Sequence, residues 1–202
     1  MRASKKSAPA HAGPIKLQWT WQASRLFPED AKTYNTAHPK GEDWELDRQR
    51  HMQEALGRIV LGFIAAVIAV AIVHEGIIYG LTQAGWIRGT AWSMQPIPPW
   101  GVPRLINNMF WGGLWGALFA TIYRRLPGNA AWLKGLIYGL LIVVVSNWFL
   151  LPLIKGQIFG QPGQVLFGGW NPQRMWPPTI IVGGYGLALG VIYGLIRPKA
   201  AA

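Results

Sequence analysis

The sequence contains no cysteine among its 202 residues. Disulfides, cysteine-ligated iron–sulfur clusters and covalently attached c-type haem are therefore excluded from this chain. Acidic side chains are scarce where the chain is apolar. Of eight carboxylates, seven lie between Glu29 and Glu54, and Glu75 is the one that follows. Histidine is equally sparse, with His74 the last of four. Two-histidine haem ligation within the apolar part of one copy is thereby excluded. One carboxylate and one imidazole do not supply a catalytic triad or a site for metal-assisted hydrolysis, which need several positioned groups. The expectation is a protein that is not an enzyme, has no metal site and holds no intrinsic cofactor.

What is present is apolar surface and positive charge. Half of the residues are hydrophobic (51%), and the formal net charge is +11. The nineteen Lys and Arg residues divide almost evenly, ten up to Arg58 and nine after it. The high pI thus reflects missing acids as much as added bases. No clustered basic face or nucleic-acid motif accompanies it, so nucleic acid is not an expected partner. The later bases instead flank apolar stretches, as cationic anchors of membrane helices do.

Four apolar stretches approach the length needed to cross a bilayer at 1.5 Å per residue. They cover residues 59–81, 105–126, 132–154 and 179–196. The expected fold is an all-α integral membrane protein with four transmembrane helices spread over residues 43–202, preceded by a cytoplasmic tail over 1–42. Arg48, Arg50 and Arg58 lead into the first stretch, Arg124, Arg125 and Lys134 sit in the short second link, and Arg197 and Lys199 follow the last. By the positive-inside rule both termini are cytoplasmic. The two longer links, 82–104 and 155–178, then face the periplasm. The bacterial inner membrane is the expected location, with the mitochondrial inner membrane as the alternative. The acid-free, basic first 28 residues would suit a mitochondrial presequence. Pro9, Pro14 and Pro28 interrupt any long amphipathic helix there, which favours a retained bacterial tail.

The outer links are rich in Pro, Gly and Trp and do not suit long helices. Trp86, Trp92, Trp100, Trp111, Trp148, Trp170 and Trp176, seven of twelve tryptophans, fall on that side. They suit an interfacial aromatic belt or a surface docking a partner. On the tail, Leu17, Trp19 and Trp21 alternate with Gln18, Thr20 and Gln22. That period of two marks an extended segment with one apolar face. A lone strand is not stable, so the segment docks on a partner or anchors at the membrane surface. From Asp43 the chain can run as a helix into the first span, with Glu42, Asp43, Glu45 and Asp47 near its positive end.

A weak internal repeat is legible. An offset of 73 aligns Gly62 and Ile64 with Gly135 and Ile137, and sets His74 opposite Asn147. An offset of 70 aligns Gly113, Trp115, Gly116, Ile122 and Tyr123 with Gly183, Tyr185, Gly186, Ile192 and Tyr193. Each half would be two spans, related to the other by an axis along the membrane normal. Small residues also recur at every fourth position, at Gly76 and Gly80, Gly112 and Gly116, Gly135 and Gly139, and Gly186, Gly190 and Gly194. On helices they form faces that allow close backbone approach.

Against this background His74 and Glu75 stand out, because ionisable groups inside a span cost several kcal/mol. Asn107, Asn108, Ser146 and Asn147 lie at a similar expected depth on the second and third spans. Arg104 can snorkel toward them, and Tyr79, one turn beyond Glu75, can donate to it. These residues are the candidates for a ligand or proton site, with bound lipid or quinone as its occupant. The bland alternative is a buried polar tie that holds helix register. The leading functional expectation is an accessory or structural subunit of a larger bacterial membrane complex, respiratory or photosynthetic assemblies being the candidates. Membrane lipids and other membrane-protein subunits are the expected partners. The alternative is a small transporter or proton- or ion-conducting protein centred on Glu75. A lipid- or quinone-modifying enzyme ranks last, for want of reactive groups.

Overall fold

The computed structural model describes residues 41–98 and 100–198. Leu17, Trp19 and Trp21 lie outside the described residues. Among the described residues the architecture is all-α, with four helical rods and one small hairpin. The first rod comprises α1 (Gly41–Ala69), a π-helical turn (Val70–His74) and α2 (Glu75–Gln83). A link then carries β1 (Pro96–Ile97) and β2 (Val102–Pro103), paired antiparallel with Pro96 opposite Pro103. The second rod is α3 (Arg104–Ile122). The third comprises α4 (Ala131–Ile142), a π segment (Val143–Leu150), α5 (Leu151–Leu153) and a further π turn (Ile154–Ile158). The fourth is α6 (Pro172–Ile196), preceded by a short 3-10 turn (Leu166–Trp170).

The described residues divide into two units, one holding 41–50 and the other beginning at His51. In the first, the described residues are the start of α1, where the Arg48 guanidinium lies 4.6 Å from the Trp44 ring centre, one helical turn away. Glu45 and Asp47 fall in the first two turns of α1, where the helix dipole favours negative charge. The helix therefore begins two residues inside the segment read as tail.

Three of the rods, Trp44–Gln83, Ala131–Ile158 and Pro172–Ile196, are long and apolar enough to cross a membrane. The expectation of four such stretches is thus met by three. The second rod stops at Ile122 rather than at residue 126, and Asn107, Asn108 and three glycines dilute its apolar character. The fourth rod is longer than expected. Asn171 caps its start, its side chain accepting from the Gln173 amide at 2.9 Å, and Pro172 occupies the first turn. Proline suits that position because the first helical amides have no partner to lose. Pro177 and Pro178, read as part of an irregular link, lie inside this helix. The carbonyls they leave without amide partners belong to Gln173 and Arg174, both exposed near the helix start.

The packing places small residues inside and large ones outside. Ala65, Ala66 and Ala69 of α1 are fully buried, whereas Ile64, Ile68 and Ile72 are exposed. Leu114 and Leu118 of α3, Leu140 and Leu141 of α4, and Leu187 and Val191 of α6 also face outward. Such a surface is a liability in water and the normal one in lipid, where close backbone packing holds helices together. With three helices able to span, the chain has the build of a multi-pass membrane protein.

Two glycine seams make that packing. A Cβ on Gly62 would collide with the Gly116 carbonyl and the Ala120 side chain, and one on Gly116 with the Gly62 carbonyl and Ala66. Likewise, a Cβ on Gly135 would collide with the Gly186 carbonyl and Gly190, and one on Gly186 with Gly139 and the Gly135 carbonyl. Gly76 and Gly80, expected to serve similarly, face open space. Between the seams lies an aromatic core. Phe119 packs against Tyr138 at 5.0 Å and Tyr193 at 5.6 Å between ring centres, and Tyr123 against Tyr193 at 5.2 Å. Two tyrosine hydroxyls tie rods together, Tyr138 donating to the Trp115 carbonyl and Tyr185 to that of Gly112, each at 2.7 Å.

Candidate functional site

Glu75 opens α2 immediately after the π turn and is 2% exposed. A carboxylate this deeply enclosed needs donors, since an unpaired one is expensive to bury. Three segments supply contacts. Oε1 lies 3.1 Å from Nδ1 of the neighbouring His74. Asn108, in the second turn of α3, donates its Nδ2 to the same oxygen at 3.2 Å. Oε2 accepts the backbone N–H of Trp92, from the link between the first two rods, at 2.8 Å.

The π turn explains how Trp92 is held. The Glu75 amide reaches back five residues to the Val70 carbonyl. That register passes over the Ala71 carbonyl, the partner of this amide in an α-helix. The Trp92 indole N–H donates to it at 2.8 Å. One residue therefore donates twice to the first rod, from its backbone to Glu75 and from its side chain to Ala71. Trp92 achieves this at φ +51°, in the left-handed region. That conformation costs a bulky L-residue roughly 1–3 kcal/mol, so surrounding contacts must hold it. Its ring packs against Tyr79 at 5.8 Å.

The next residues continue the anchorage. Ser93 is 5% exposed, and its carbonyl accepts the Leu105 amide at 3.0 Å while its hydroxyl accepts that of Gln95 at 3.3 Å. The β1–β2 hairpin then leads directly into α3. The link is thus tied to the first rod through Trp92 and to the start of the second through Ser93.

Of the candidates read from sequence, His74, Glu75 and Asn108 come together. Asn107 is half-buried on α3 and makes no side-chain hydrogen bond among the described residues. Tyr79 does not reach the carboxylate. It is 52% exposed and contributes its ring to Trp92 instead. Arg104 is also exposed and forms no ion pair with Glu75. Among the described residues the His74–Glu75 contact is the sole one between a basic and an acidic side chain within 4 Å. Asn147 lies in the π segment of the third rod, outside the hydrogen-bonded group around Glu75.

The tryptophans separate into different roles. Trp92, read as a docking candidate, belongs to the Glu75 cluster. Trp86 packs edge-on against Trp176 at 6.1 Å, setting the first long link against the start of α6. Trp100 and Trp170 are 82% and 76% exposed. Trp170 stacks on Phe167 at 5.5 Å, both with positive φ, in a left-handed turn around Gly168 and Gly169. Beside Asn147, Trp148 lines an open groove of about 340 Å³ with Pro172, Met175, Trp176, Thr179 and Ile180. The Trp148 indole N–H is buried without an acceptor among the described residues.

Sequence reasoning missed the donor role of the Trp92 amide. A backbone N–H is common to nearly every residue type, so composition carries no mark of it. Compared with protein-family models, curated proteins and solved structures, the chain matches none.

Proposed function

We propose that this protein is a non-catalytic accessory or structural subunit of a larger bacterial inner-membrane complex. The observation that carries this reading is the engagement of Glu75. Its two oxygens are taken up by His74, Asn108 and the Trp92 amide. A carboxylate so engaged serves as a clasp, joining the first rod, the second rod and the link between them. The link it secures displays Trp86 and Trp100, 66% and 82% exposed. Exposed tryptophans on a braced loop suit docking to another subunit.

The topology proposed with this function is four transmembrane helices in two duplicated pairs. The two glycine seams support duplication. Gly62, Ala66, Gly116 and Ala120 meet one another as Gly135, Gly139, Gly186 and Gly190 do, at the offsets of 73 and 70 read from sequence. The π segments beginning at Val70 and Val143 are also 73 residues apart. On this reading the second rod crosses the membrane as the counterpart of the fourth. Its 19 residues span about 28 Å, close to the hydrocarbon thickness of roughly 30 Å. The basic ends of the rods face the cytoplasm, as do both termini. No intrinsic cofactor is required, and lipid or quinone is proposed as the occupant of the groove beside Trp148.

Mild-detergent purification of the full chain from its native host tests the reading. A partner subunit in fixed stoichiometry is expected, and Trp100→Ala with Trp170→Ala should release it. Recovery of only a monomer or homo-oligomer would overturn the assignment. A second reading, proton or ion conduction, is favoured by the π turn beside a buried carboxylate, since π-bulges recur at functional sites. Proton flux in proteoliposomes that disappears in Glu75→Gln would establish it in place of the first.

A further inference from the structure

At the end of the bundle away from Glu75, cations gather from all four rods. Lys134, in the first turn of α4, donates to the Tyr123 carbonyl at 3.1 Å, and its Nζ lies 4.7 Å from the centre of the Tyr123 ring. Arg197, at the end of α6, places its guanidinium 4.6 Å from the same ring centre. Arg58 lies one turn before Gly62 on α1 and Arg124 one turn beyond Ala120, positions that meet across the first glycine seam. Four cations thus lie at the end of the bundle that holds the Tyr123–Tyr193 pair, whose rings are 5.2 Å apart, two of them directly against Tyr123.

Among the described residues, no carboxylate pairs with any of them. The buried carboxylate of Glu75, in contact with His74, is about 25 Å away along the first rod. The Arg197 Nε is buried and has no acceptor among the described residues. Holding like charges together without an anion is unfavourable, so the geometry calls for one. Next to the cations, Trp132, Leu195 and Ile196 are 49%, 78% and 41% exposed. An anion with an apolar tail matches both features.

We propose that Arg58, Arg124, Lys134 and Arg197 form a binding site for the phosphate headgroup of an anionic phospholipid. Lys134 and Arg197, fixed against Tyr123, form its rigid floor. Arg58 and Arg124 close over the phosphate, and the acyl chains run along Leu195 and Ile196. Guanidinium groups suit this task because their donors match phosphate oxygens in pairs.

Native mass spectrometry of the full chain in detergent, titrated with defined lipids, tests the site. Phosphatidylglycerol or cardiolipin should bind at least tenfold more tightly than phosphatidylcholine, and added salt should weaken the binding. Lys134→Gln with Arg197→Gln should remove the preference, at about fivefold per cation. Lys134→Arg with Arg197→Lys should retain most of it. Arg88→Gln, in the link at the opposite end, should leave it intact. Equal affinity for phosphatidylcholine, or a salt-independent preference in the unmodified protein, would overturn the proposal without any variant having to fold. Competition by glycerol 3-phosphate as strong as by lipid would overturn the lipid assignment and leave a soluble phosphate as ligand.

Discussion

The backbone N–H of Trp92 donates to Oε2 of Glu75 across 2.8 Å, bridging 17 positions of sequence. This bond draws a strained link residue onto a buried carboxylate. It also accounts for a feature that otherwise looks unfavourable, a bulky residue at φ +51°. The strain is held because the indole simultaneously donates to the Ala71 carbonyl that the π turn passes over.

Replacing Glu75 with Gln should loosen that link. An amide offers one acceptor and one donor group where the carboxylate offers two acceptors. Either the Trp92 amide then faces an N–H, or the Asn108 amide must flip to present its oxygen. The expected loss is about 1–3 kcal/mol of stability, read by unfolding in mixed micelles. Faster proteolysis within residues 84–103 should accompany it. Unchanged stability with unchanged proteolysis would remove Glu75 from the clasp.

Trp92→Gly and Trp92→Ala separate strain from side-chain contact. Both lose the indole bond to Ala71 and the Tyr79 packing. Only glycine relieves the positive φ. Trp92→Gly should therefore be the milder of the two by about 1 kcal/mol. The reverse order would show that Trp92 is not strained in the folded protein.

Asn108 and Arg104 should respond differently to substitution. Asn108→Ala removes a donor to Glu75 Oε1 and should cost about 0.5–1.5 kcal/mol. Arg104→Gln alters an exposed side chain and should remain within about 0.5 kcal/mol. A double-mutant cycle of Glu75→Gln with each would measure coupling to Asn108 and little to Arg104. Strong coupling to Arg104 would instead place its guanidinium against Glu75.

The glycines divide by what a side chain would meet. Gly116→Val and Gly186→Val drive new carbons into the Gly62 and Gly135 carbonyls and should abolish the folded state recovered in detergent. Gly76→Ala and Gly80→Ala enter open space and should be neutral or stabilising by up to about 1 kcal/mol through helix propensity. Equal tolerance at all four positions would mean that the seams do not hold the helices.

What the sequence determined by itself is local. Apolar runs, flanking arginines and the isolation of Glu75 follow from residue types and short-range spacing, so the helical rods and the candidate position were legible. The offsets of 73 and 70 were also legible, and they correspond to the two glycine seams. The reach of the helices was less so. Pro177 and Pro178 read as helix breakers, yet α6 begins five residues before them because Asn171 and Pro172 start it well.

The site itself was decided by tertiary structure. Neighbouring residues on a helix point about 100° apart, so hydropathy does not separate Asn107 from Asn108. The rotation of α3 against the first rod does, and it turns Asn108 toward Glu75. The glycine seams fix that rotation by allowing contact at only a few backbone positions. Trp92 required more still, since its contribution is a backbone amide aimed by a left-handed φ and an indole N–H aimed at the Ala71 carbonyl that the π turn passes over. Those features depend on the path of the link between the rods, and no residue type records them.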